Sequence, residues 1–335
     1  MNFFPNEPVP PVTRIDDWCS TLTSPVCQVS AVGELDRRVS LRQSRCRASS
    51  SGRGGVSVVT DGTRPRDTVE PLVRTHEHLL RILEAYAGQL SESSLIVDAG
   101  CGDGRLLRSM RDVVPCRVAG FDSPGYGDFA NQAGHEPDSI DVRETNPDGS
   151  WPFDDASADI VVSNQVLEHV ADLDQFCAEA GRISRDGAVG VHVFPVRQVV
   201  IEPHLELPLV HRIRDHDLRA SAIRTMAWFG LGKFDADGIH RGTTLDEYAQ
   251  AHADYVRTHT SYRSWREVAA TFEHHGFRVS RRYSSMFLRS LFQTRPGPLP
   301  AVVESAFFPL ASRVSSITLL TERRDSYRYR GPANT

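Results

Sequence analysis

The sequence predicts an α/β protein built on a doubly wound, mainly parallel sheet, and two observations favour this class. Between residue 75 and about residue 196, short apolar runs typical of buried strands alternate with amphipathic runs typical of helices. The first apolar run ends in "DAGCGDG", which places three glycines at every second position before the next helix. A turn of this kind after the first strand is where open parallel sheets bind small ligands.

The predicted elements follow one another along the chain without an internal repeat. Helices are expected over residues 75–90, 104–114, 171–184, 264–277 and 296–313. Strands are expected over residues 94–100, 116–122, 157–166, 187–196, 278–290 and 315–323. Because strands and helices alternate, the helices are expected to cover both faces of the sheet.

Three segments fall outside this alternation. Residues 1–68 are rich in Pro, Ser, Arg and Gly and have no apolar period, so we expect a disordered N-terminal segment. Residues 198–262 follow the fifth strand with helical fragments rich in His and Arg, which we interpret as a helical insertion or lid. The folded domain is therefore expected over residues 69–325, with a C-terminal tail over 326–335.

The bulk composition is that of an ordinary globular protein. The chain has 335 residues, of which 40% are hydrophobic and 24% charged, and its net charge is -5. This balance gives no global attraction to nucleic acid or to an anionic membrane. No apolar run is long enough to span a bilayer, and the first residues lack the order of a signal peptide. We therefore expect a cytoplasmic protein with no membrane span.

The glycine turn indicates a ligand that lies against the backbone. Gly100, Gly102 and Gly104 lack a Cβ, so the chain can turn sharply and a ligand can approach its N–H groups. A dinucleotide turn, G-x-G-x-x-G, would need its third glycine at the position of Arg105. An NAD-dependent oxidoreductase is therefore disfavoured.

The spacing D-x-G-x-G-x-G resembles motif I of the class I S-adenosylmethionine-dependent methyltransferases, in particular the type 11-like group. Two later stretches resemble the same family in the same order, "WPFDDASADIVVSNQVLEHV" at residues 151–170 and "AGRISRDGAVGVHVF" at residues 180–194. The resemblance covers about residues 94–196. It implies a Rossmann-like methyltransferase fold with seven strands and S-adenosyl-L-methionine as the cofactor.

The resemblance also assigns cofactor-binding residues. An acid that closes the second strand binds the ribose hydroxyls in this family, and Asp122 occupies that place. The acid that touches adenine is less well marked, with Asp141 and Glu144 both candidates. The full expected set is Asp98, Gly100, Cys101, Gly102, Gly104, Asp122, Asp141 and Asn164. Cys101 is expected to offer only its backbone.

Methyl transfer to a hydroxyl needs an aligned acceptor and a group that removes a proton. Histidine titrates in the useful range, and His169, His204 and His211 are the candidate bases. The first follows the fourth strand in "LEHV", where a structural role is also open, and the other two lie in the insertion. His204, His211 and His216 do not have the spacing of a helical zinc motif, and the six cysteines form no CxxC pair. We therefore expect no metal site.

These observations favour an enzyme that methylates a small-molecule or glycan-type acceptor at oxygen. The insertion after the fifth strand lies where many members of the family build their specificity. An RNA or protein methyltransferase is the nearest alternative, and it predicts a basic or aromatic track that the dispersed arginines do not provide. A non-catalytic protein that binds the cofactor and acts by interaction is a third alternative. The sequence is silent on the oligomeric state.

Overall fold

The computed structural model describes residues 74–124, 140–234, 242–286 and 301–324. The segment predicted to be disordered, 1–68, and the predicted tail, 326–335, lie outside the described residues. Within the described residues, no helix is both long and apolar enough to cross a membrane.

The core is a seven-stranded sheet in the order β3-β2-β1-β4-β5-β9-β8. The first five strands along the chain pair in parallel, and β9 runs antiparallel between β5 and β8. Their bounds are β1 Leu95–Ala99, β2 Arg117–Asp122, β3 Asp141–Glu144, β4 Ala158–Asn164, β5 Ser184–Phe194, β8 Phe277–Ser280 and β9 Ile317–Arg323. The predicted fold class, a doubly wound and mainly parallel seven-stranded sheet, is confirmed.

Seven α-helices are described, and the sequence explains where several of them begin. Their bounds are α1 Arg74–Tyr86, α2 Arg105–Val113, α3 Leu173–Ile183, α4 His216–Trp228, α5 Leu245–Thr258, α6 Trp265–His274 and α7 Ala301–Val314. Asp172 caps α3 by accepting from the N–H of Gln175. Capping boxes begin α5 at Thr244 and α6 at Ser264.

The main apolar core lies between the sheet and the helices that cover it. Strand β1 is buried along its whole length, as expected for the centre of a parallel sheet. On one face, Phe176 packs edge-on against Trp151, with ring centroids 4.9 Å apart, and against Phe272 at 6.4 Å. His192 on β5 stacks on Phe272 at 4.7 Å and is 1% exposed. Burial lowers the pKa of His192 to about 3, so this histidine is a neutral part of the core.

The insertion after β5 contains a short antiparallel ribbon and two helices. The ribbon pairs β6, Ile201–Glu202, with β7, Leu207–Pro208. Helices α4 and α5 pack side by side, and buried Arg219 of α4 donates to the carbonyl oxygen of Ala253 on α5 at 3.1 Å. The described part of residues 198–262 is therefore mainly helical, as the composition indicated.

One predicted boundary is wrong. Strand β8 ends at Ser280 rather than extending to residue 290, because residues 282–285 form turns. The stretch "LEHV" is a turn over residues 167–169, and α3 begins only after its cap. Ser163 is fully buried and hydrogen-bonds His192 Nδ1 at 2.9 Å, since side chains alternate along β4.

Candidate functional site

The glycine turn connects β1 to α2 at the carboxyl edge of the sheet. Gly100, Gly102 and Gly104 all have positive φ, at 77°, 53° and 73°, a conformation that costs other residues about 1–2 kcal/mol each. The positive φ values alone explain why glycine occupies all three positions. Support for a ligand must therefore come from the space beside the turn.

That space differs from one glycine to the next. A Cβ on Gly100 would lie 2.5 Å from Cγ2 of Val166, and one on Gly104 would overlap Cδ1 of Ile140. A Cβ on Gly102 would meet no atom of the described residues within 4 Å. Within the described part of the chain, Gly102 is therefore the glycine of the turn with open space beside its backbone.

The N–H groups of this turn are largely used within the protein. Those of Gly100 and Cys101 donate to the carbonyl oxygen of Phe121, at 2.8 and 3.1 Å, and that of Gly104 donates to Cys101 at 3.0 Å. The N–H of Gly102 donates to Asp122 Oδ2 at 2.9 Å. These four N–H groups are therefore already bonded within the protein, and what the turn offers is close approach to its backbone.

Asp122 closes β2 directly beside the turn. Its Oδ2 accepts from Gly102, and its Oδ1 accepts from the N–H of Ser123 at 2.7 Å. Burial raises the pKa of Asp122 to about 6, against those two hydrogen bonds, which lower it. Each carboxylate oxygen can accept a second hydrogen bond, so the ionised group can also bind a pair of hydroxyls.

Two further polar groups of the predicted set are buried with atoms that lack a partner. Asp98 on β1 is 1% exposed, and its Oδ1 has no hydrogen bond within the described residues. Burial, followed by the charge of Asp122, raises the pKa of Asp98 to about 8. Asn164 ends β4, and its Oδ1 is also without a partner among the described residues. Unpaired buried oxygens are costly, which favours a ligand donor at this edge.

The structure does not bring Asp141 to this edge. Asp141 begins β3 in register with Ala119, and both its oxygens accept from Arg143, at 3.0 and 2.8 Å. Glu144, the other candidate, ends β3 directly opposite Asp122. Strand direction therefore favours Glu144 over Asp141 as the acid nearest the cleft.

Cys101 does not present its thiol to the cleft. A Cβ on Gly120 of β2 would lie 2.7 Å from Cβ and 2.9 Å from Sγ of Cys101, so the side chain packs against β2. Burial raises the pKa of the Cys101 thiol, which keeps it neutral.

A second set of polar groups lies just beyond β4, where Glu168, His169 and His204 come together. One ligand atom from each of these side chains lies within 4.8 Å of the other two. Glu168 is 1% exposed, and neither of its carboxylate oxygens has a hydrogen-bond partner among the described residues. Burial raises the pKa of Glu168 to about 8, although the nearby charge of His204 lowers it. We call these three side chains the Glu168 cluster.

Glu202 and Tyr262 orient His204. His204 Nδ1 lies 2.6 Å from Glu202 Oε1 and 3.0 Å from the hydroxyl of Tyr262, which itself donates to Glu202 Oε1. Burial alone would lower the pKa of His204, but the charge and hydrogen bond of Glu202 outweigh it and raise the pKa. Burial alone would likewise raise the pKa of Glu202, but His204 outweighs it, and the pKa falls to about 2. We therefore infer an ionised Glu202 that holds the Nδ1 proton of His204.

His211 lies beside this network but outside the Glu168 cluster. Its ring centroid is 5.0 Å from that of Tyr262, and its Nε2 donates to the carbonyl oxygen of Arg197 at 3.3 Å. Because Nε2 carries the proton, Nδ1 carries the lone pair, and this buried atom has no partner among the described residues. Of the three predicted bases, His169 and His204 thus lie together in the Glu168 cluster, whereas His211 lies beside Tyr262 and outside that cluster.

Sequence reasoning missed three contributors. Glu202 and Tyr262 lie in the insertion, where nothing in the sequence indicated which acid or phenol pairs with His204. His76 in the first turn of α1 is near enough to Asp103 and Arg105 of the turn to feel their charges, although burial is the main reason that its pKa falls to about 4. The family motifs begin only at β1, so no signal marked His76.

The two halves of the site are joined through Val166. This residue follows β4 and packs against Gly100 of the turn, two residues before the Glu168 cluster. The segment after β4 therefore contacts the glycine turn through Val166 and reaches the Glu168 cluster two residues later.

Comparison with known proteins identifies the family profile that fits this region. Residues 97–191 match the profile of a methyltransferase domain. A protein of Mycolicibacterium smegmatis, described as a "probable S-adenosylmethionine-dependent methyltransferase", is 31% identical over 162 residues, or 48% of this chain and 61% of the relative. Dimethylglycine N-methyltransferase of Parasynechococcus marenigrum is 29% identical over 164 residues, or 48% of this chain and 58% of the relative. The chain spans less than two thirds of either.

A solved structure gives a weaker likeness. Geranyl diphosphate C-methyltransferase from Streptomyces coelicolor is 18% identical, with a TM-score of 0.41, over 74% of this chain and 77% of that one.

The sheet, the glycine turn after β1 and the acid at the end of β2 are features of an open α/β fold that binds small ligands at the carboxyl edge of its strands. The profile match is narrower, since residues 97–191 resemble a methyltransferase domain. The relatives that the chain resembles include a probable S-adenosylmethionine-dependent methyltransferase.

The open space at Gly102 leads to a prediction with a matched control. Gly102→Ala and Gly187→Ala both place a side chain at positive φ with no atom of the described residues within 4 Å. Gly187, however, lies near the start of β5, away from the carboxyl edge of the sheet. Both variants should lose about 1 kcal/mol in free energy of unfolding, measured by denaturant titration. Only Gly102→Ala should weaken binding of S-adenosylhomocysteine, by about tenfold or more in calorimetry. Equal affinities in the two variants would contradict the assignment.

The pKa of Asp122 leads to a second prediction. The carboxylate accepts hydroxyl hydrogen bonds only when ionised, so affinity for S-adenosylhomocysteine should be constant near pH 7 and fall as the pH drops through about 6. Asp122→Asn should lower affinity at pH 7 by about 1–3 kcal/mol and remove the step. Asp98, with its pKa near 8, titrates in a separate range. Calorimetry from pH 5 to 7.5 tests this, and a step that persists in the Asn variant would count against Asp122.

Proposed function

We propose that this protein transfers a methyl group from S-adenosyl-L-methionine to an oxygen of a small-molecule or glycan-type acceptor. The observation that carries the proposal is the presence, in one site, of a glycine turn beside Asp122 and of partly buried imidazoles after β4 and in the insertion. The match of residues 97–191 to a methyltransferase domain supports the cofactor. The imidazoles support an acceptor that must lose a proton.

The residues at the turn fit this cofactor. Asp122 can accept hydrogen bonds from both ribose hydroxyls. Glu144, opposite Asp122 on the neighbouring strand β3, is the acid placed to contact adenine. The unpaired oxygens of Asp98 and Asn164 suit the donors of the amino acid end. When bound, S-adenosylmethionine supplies a methyl group on a positively charged sulfur, which needs no further activation.

The chain's own task is to hold the acceptor in line and to take its proton. Within this proposal, His211 is the base, because its Nδ1 carries a buried lone pair. His169 and His204 lie on the acceptor side of the site with Glu168. In the proposed reaction, the acceptor oxygen forms a bond to the methyl carbon as the bond between that carbon and sulfur breaks. The hydroxyl proton of the acceptor passes to His211.

Residues of the insertion line the acceptor side of the site. Residue His204 lies between the two strands of the ribbon, and Tyr255 of α5 lies 5.5 Å from it, ring to ring. The turn that carries Glu168 is itself held by the segment after α5, since the N–H of Ser261 donates to the Glu168 carbonyl oxygen at 2.5 Å. Side chains held this closely between the turn after β4 and the insertion favour a small acceptor over a folded RNA or protein.

A labelled methyl group tests the acceptor class. Protein incubated with methyl-labelled S-adenosylmethionine should transfer label to a hydroxylated small molecule or oligosaccharide, and the product should resist mild base as an ether does. His211→Ala should lower kcat by about 100-fold or more and leave S-adenosylhomocysteine affinity unchanged. His274→Ala, an exposed histidine at the end of α6, is the matched control and should keep full kcat.

The alternatives predict different outcomes of the same assay. Label in RNA or in protein would favour a macromolecular methyltransferase, and transfer to nitrogen or carbon would exclude the oxygen acceptor. Tight cofactor binding without transfer to any fraction would favour a protein that acts by interaction.

A further inference from the structure

We propose that Glu168, His169 and His204 bind a divalent first-row transition metal ion at the acceptor side of the cleft. The one ligand atom that each offers lies within 4.8 Å of the others, so small side-chain movements bring all three to bonding distance of one ion. The consequence for catalysis rests on the proposed function, but the binding itself does not. This proposal departs from the sequence-based expectation of no metal site, which rested on the spacing of histidines within the insertion and did not consider Glu168 or His169.

His169 has the hydrogen bond that metal-binding histidines usually make. Its Nδ1 lies 2.7 Å from the carbonyl oxygen of His259, and a carbonyl oxygen only accepts, so Nδ1 carries the proton. The lone pair is therefore on Nε2. A backbone carbonyl that fixes the tautomer of a histidine in this way is a common partner of metal ligands.

His204 has the corresponding partner of the carboxylate type. Its Nδ1 hydrogen-bonds Glu202 Oε1 at 2.6 Å, and Glu202 is itself fixed by the Tyr262 hydroxyl and by the N–H of Leu205 at 2.6 Å. A carboxylate on one ring nitrogen orients the ring and makes the other nitrogen a better ligand. Glu202 thus acts as a positioning residue.

Glu168 supplies the observation that favours a cation over a plain hydrogen-bond network. Its side chain is 1% exposed, and both carboxylate oxygens lack a hydrogen-bond partner among the described residues. A buried carboxylate without hydrogen bonds is expensive, whereas a bound cation offsets that cost. The loop also holds it in place, since Arg263 Nη1 donates to the carbonyl oxygen of Leu167 at 3.2 Å.

The ligand types select the class of ion. Two imidazoles and one carboxylate suit Mn²⁺, Fe²⁺, Co²⁺ or Zn²⁺, whereas Mg²⁺ and Ca²⁺ prefer sites made of oxygen. Three protein ligands leave coordination positions open. An acceptor hydroxyl bound at such a position loses its proton more easily, because the ion stabilises the resulting oxyanion.

Cobalt is the probe that reports both binding and ligand type. The full chain, freed of any affinity tag and treated with a chelator, should bind one Co²⁺ per chain, with visible absorption bands and a saturable calorimetric signal. Glu168→Gln, which keeps the volume and removes the charge, should lose at least the roughly 10- to 100-fold that removal of an outer partner costs. Glu202→Gln should lose affinity within that range.

His274→Ala is the control, because this exposed histidine lies at the end of α6 outside the cluster. Its Co²⁺ affinity should equal that of the unchanged chain. S-adenosylhomocysteine binding, measured on every variant, shows that the variant is folded. If Glu168→Gln does not fold, His169→Gln tests the same ligand set.

Two results would overturn the inference. One is an unchanged chain that binds S-adenosylhomocysteine but shows no saturable Co²⁺ binding, which would leave His204 as a charged bridge between Glu168 and Glu202. The other is Co²⁺ binding that Glu168→Gln and His169→Gln both retain. Co²⁺ binding without any cofactor binding would instead contradict the proposed function and leave the metal site standing.

Discussion

The hydrogen bond from the N–H of Gly102 to Asp122 Oδ2 is the contact on which the cofactor side depends. It ties the turn after β1 to the end of β2, so the open backbone of Gly102 and the carboxylate face the same space. The N–H groups of Gly100, Cys101 and Gly104 are also bonded within the protein, so the turn keeps its shape without a ligand. The parallel register of β1 and β2 makes it possible, since their carboxyl ends meet at one edge.

The segment that follows β4 connects the cofactor side of the site to the acceptor side. Val166 fills the space that a side chain on Gly100 would need, and the turn that follows places Glu168 and His169 against the insertion. The insertion contributes His204 and its partner Glu202. The residues of the cofactor side therefore lie at the ends of the sheet's strands. The residues of the acceptor side lie in the turn after β4 and in the insertion.

The sequence predicted the sheet and the cofactor side well and the acceptor side poorly, for a physical reason. Apolar strands and a glycine turn with positive φ are local features, visible in a few consecutive residues. The pairing of His204 with Glu202 and Tyr262, and the approach of Glu168, depend on how an insertion folds back on the sheet. Asp141 shows the same limit, since only strand register reveals that Glu144 is the acid at the edge.

The central claim is that the glycine turn and Asp122 bind a single nucleoside cofactor. The most direct measurement is a calorimetric titration of the full chain with S-adenosylmethionine, S-adenosylhomocysteine and NAD. Saturable binding of the first two, with one site per chain and no binding of NAD, is the predicted result. Binding of NAD alone would contradict the account, because it would mean that the turn holds a pyrophosphate despite Arg105.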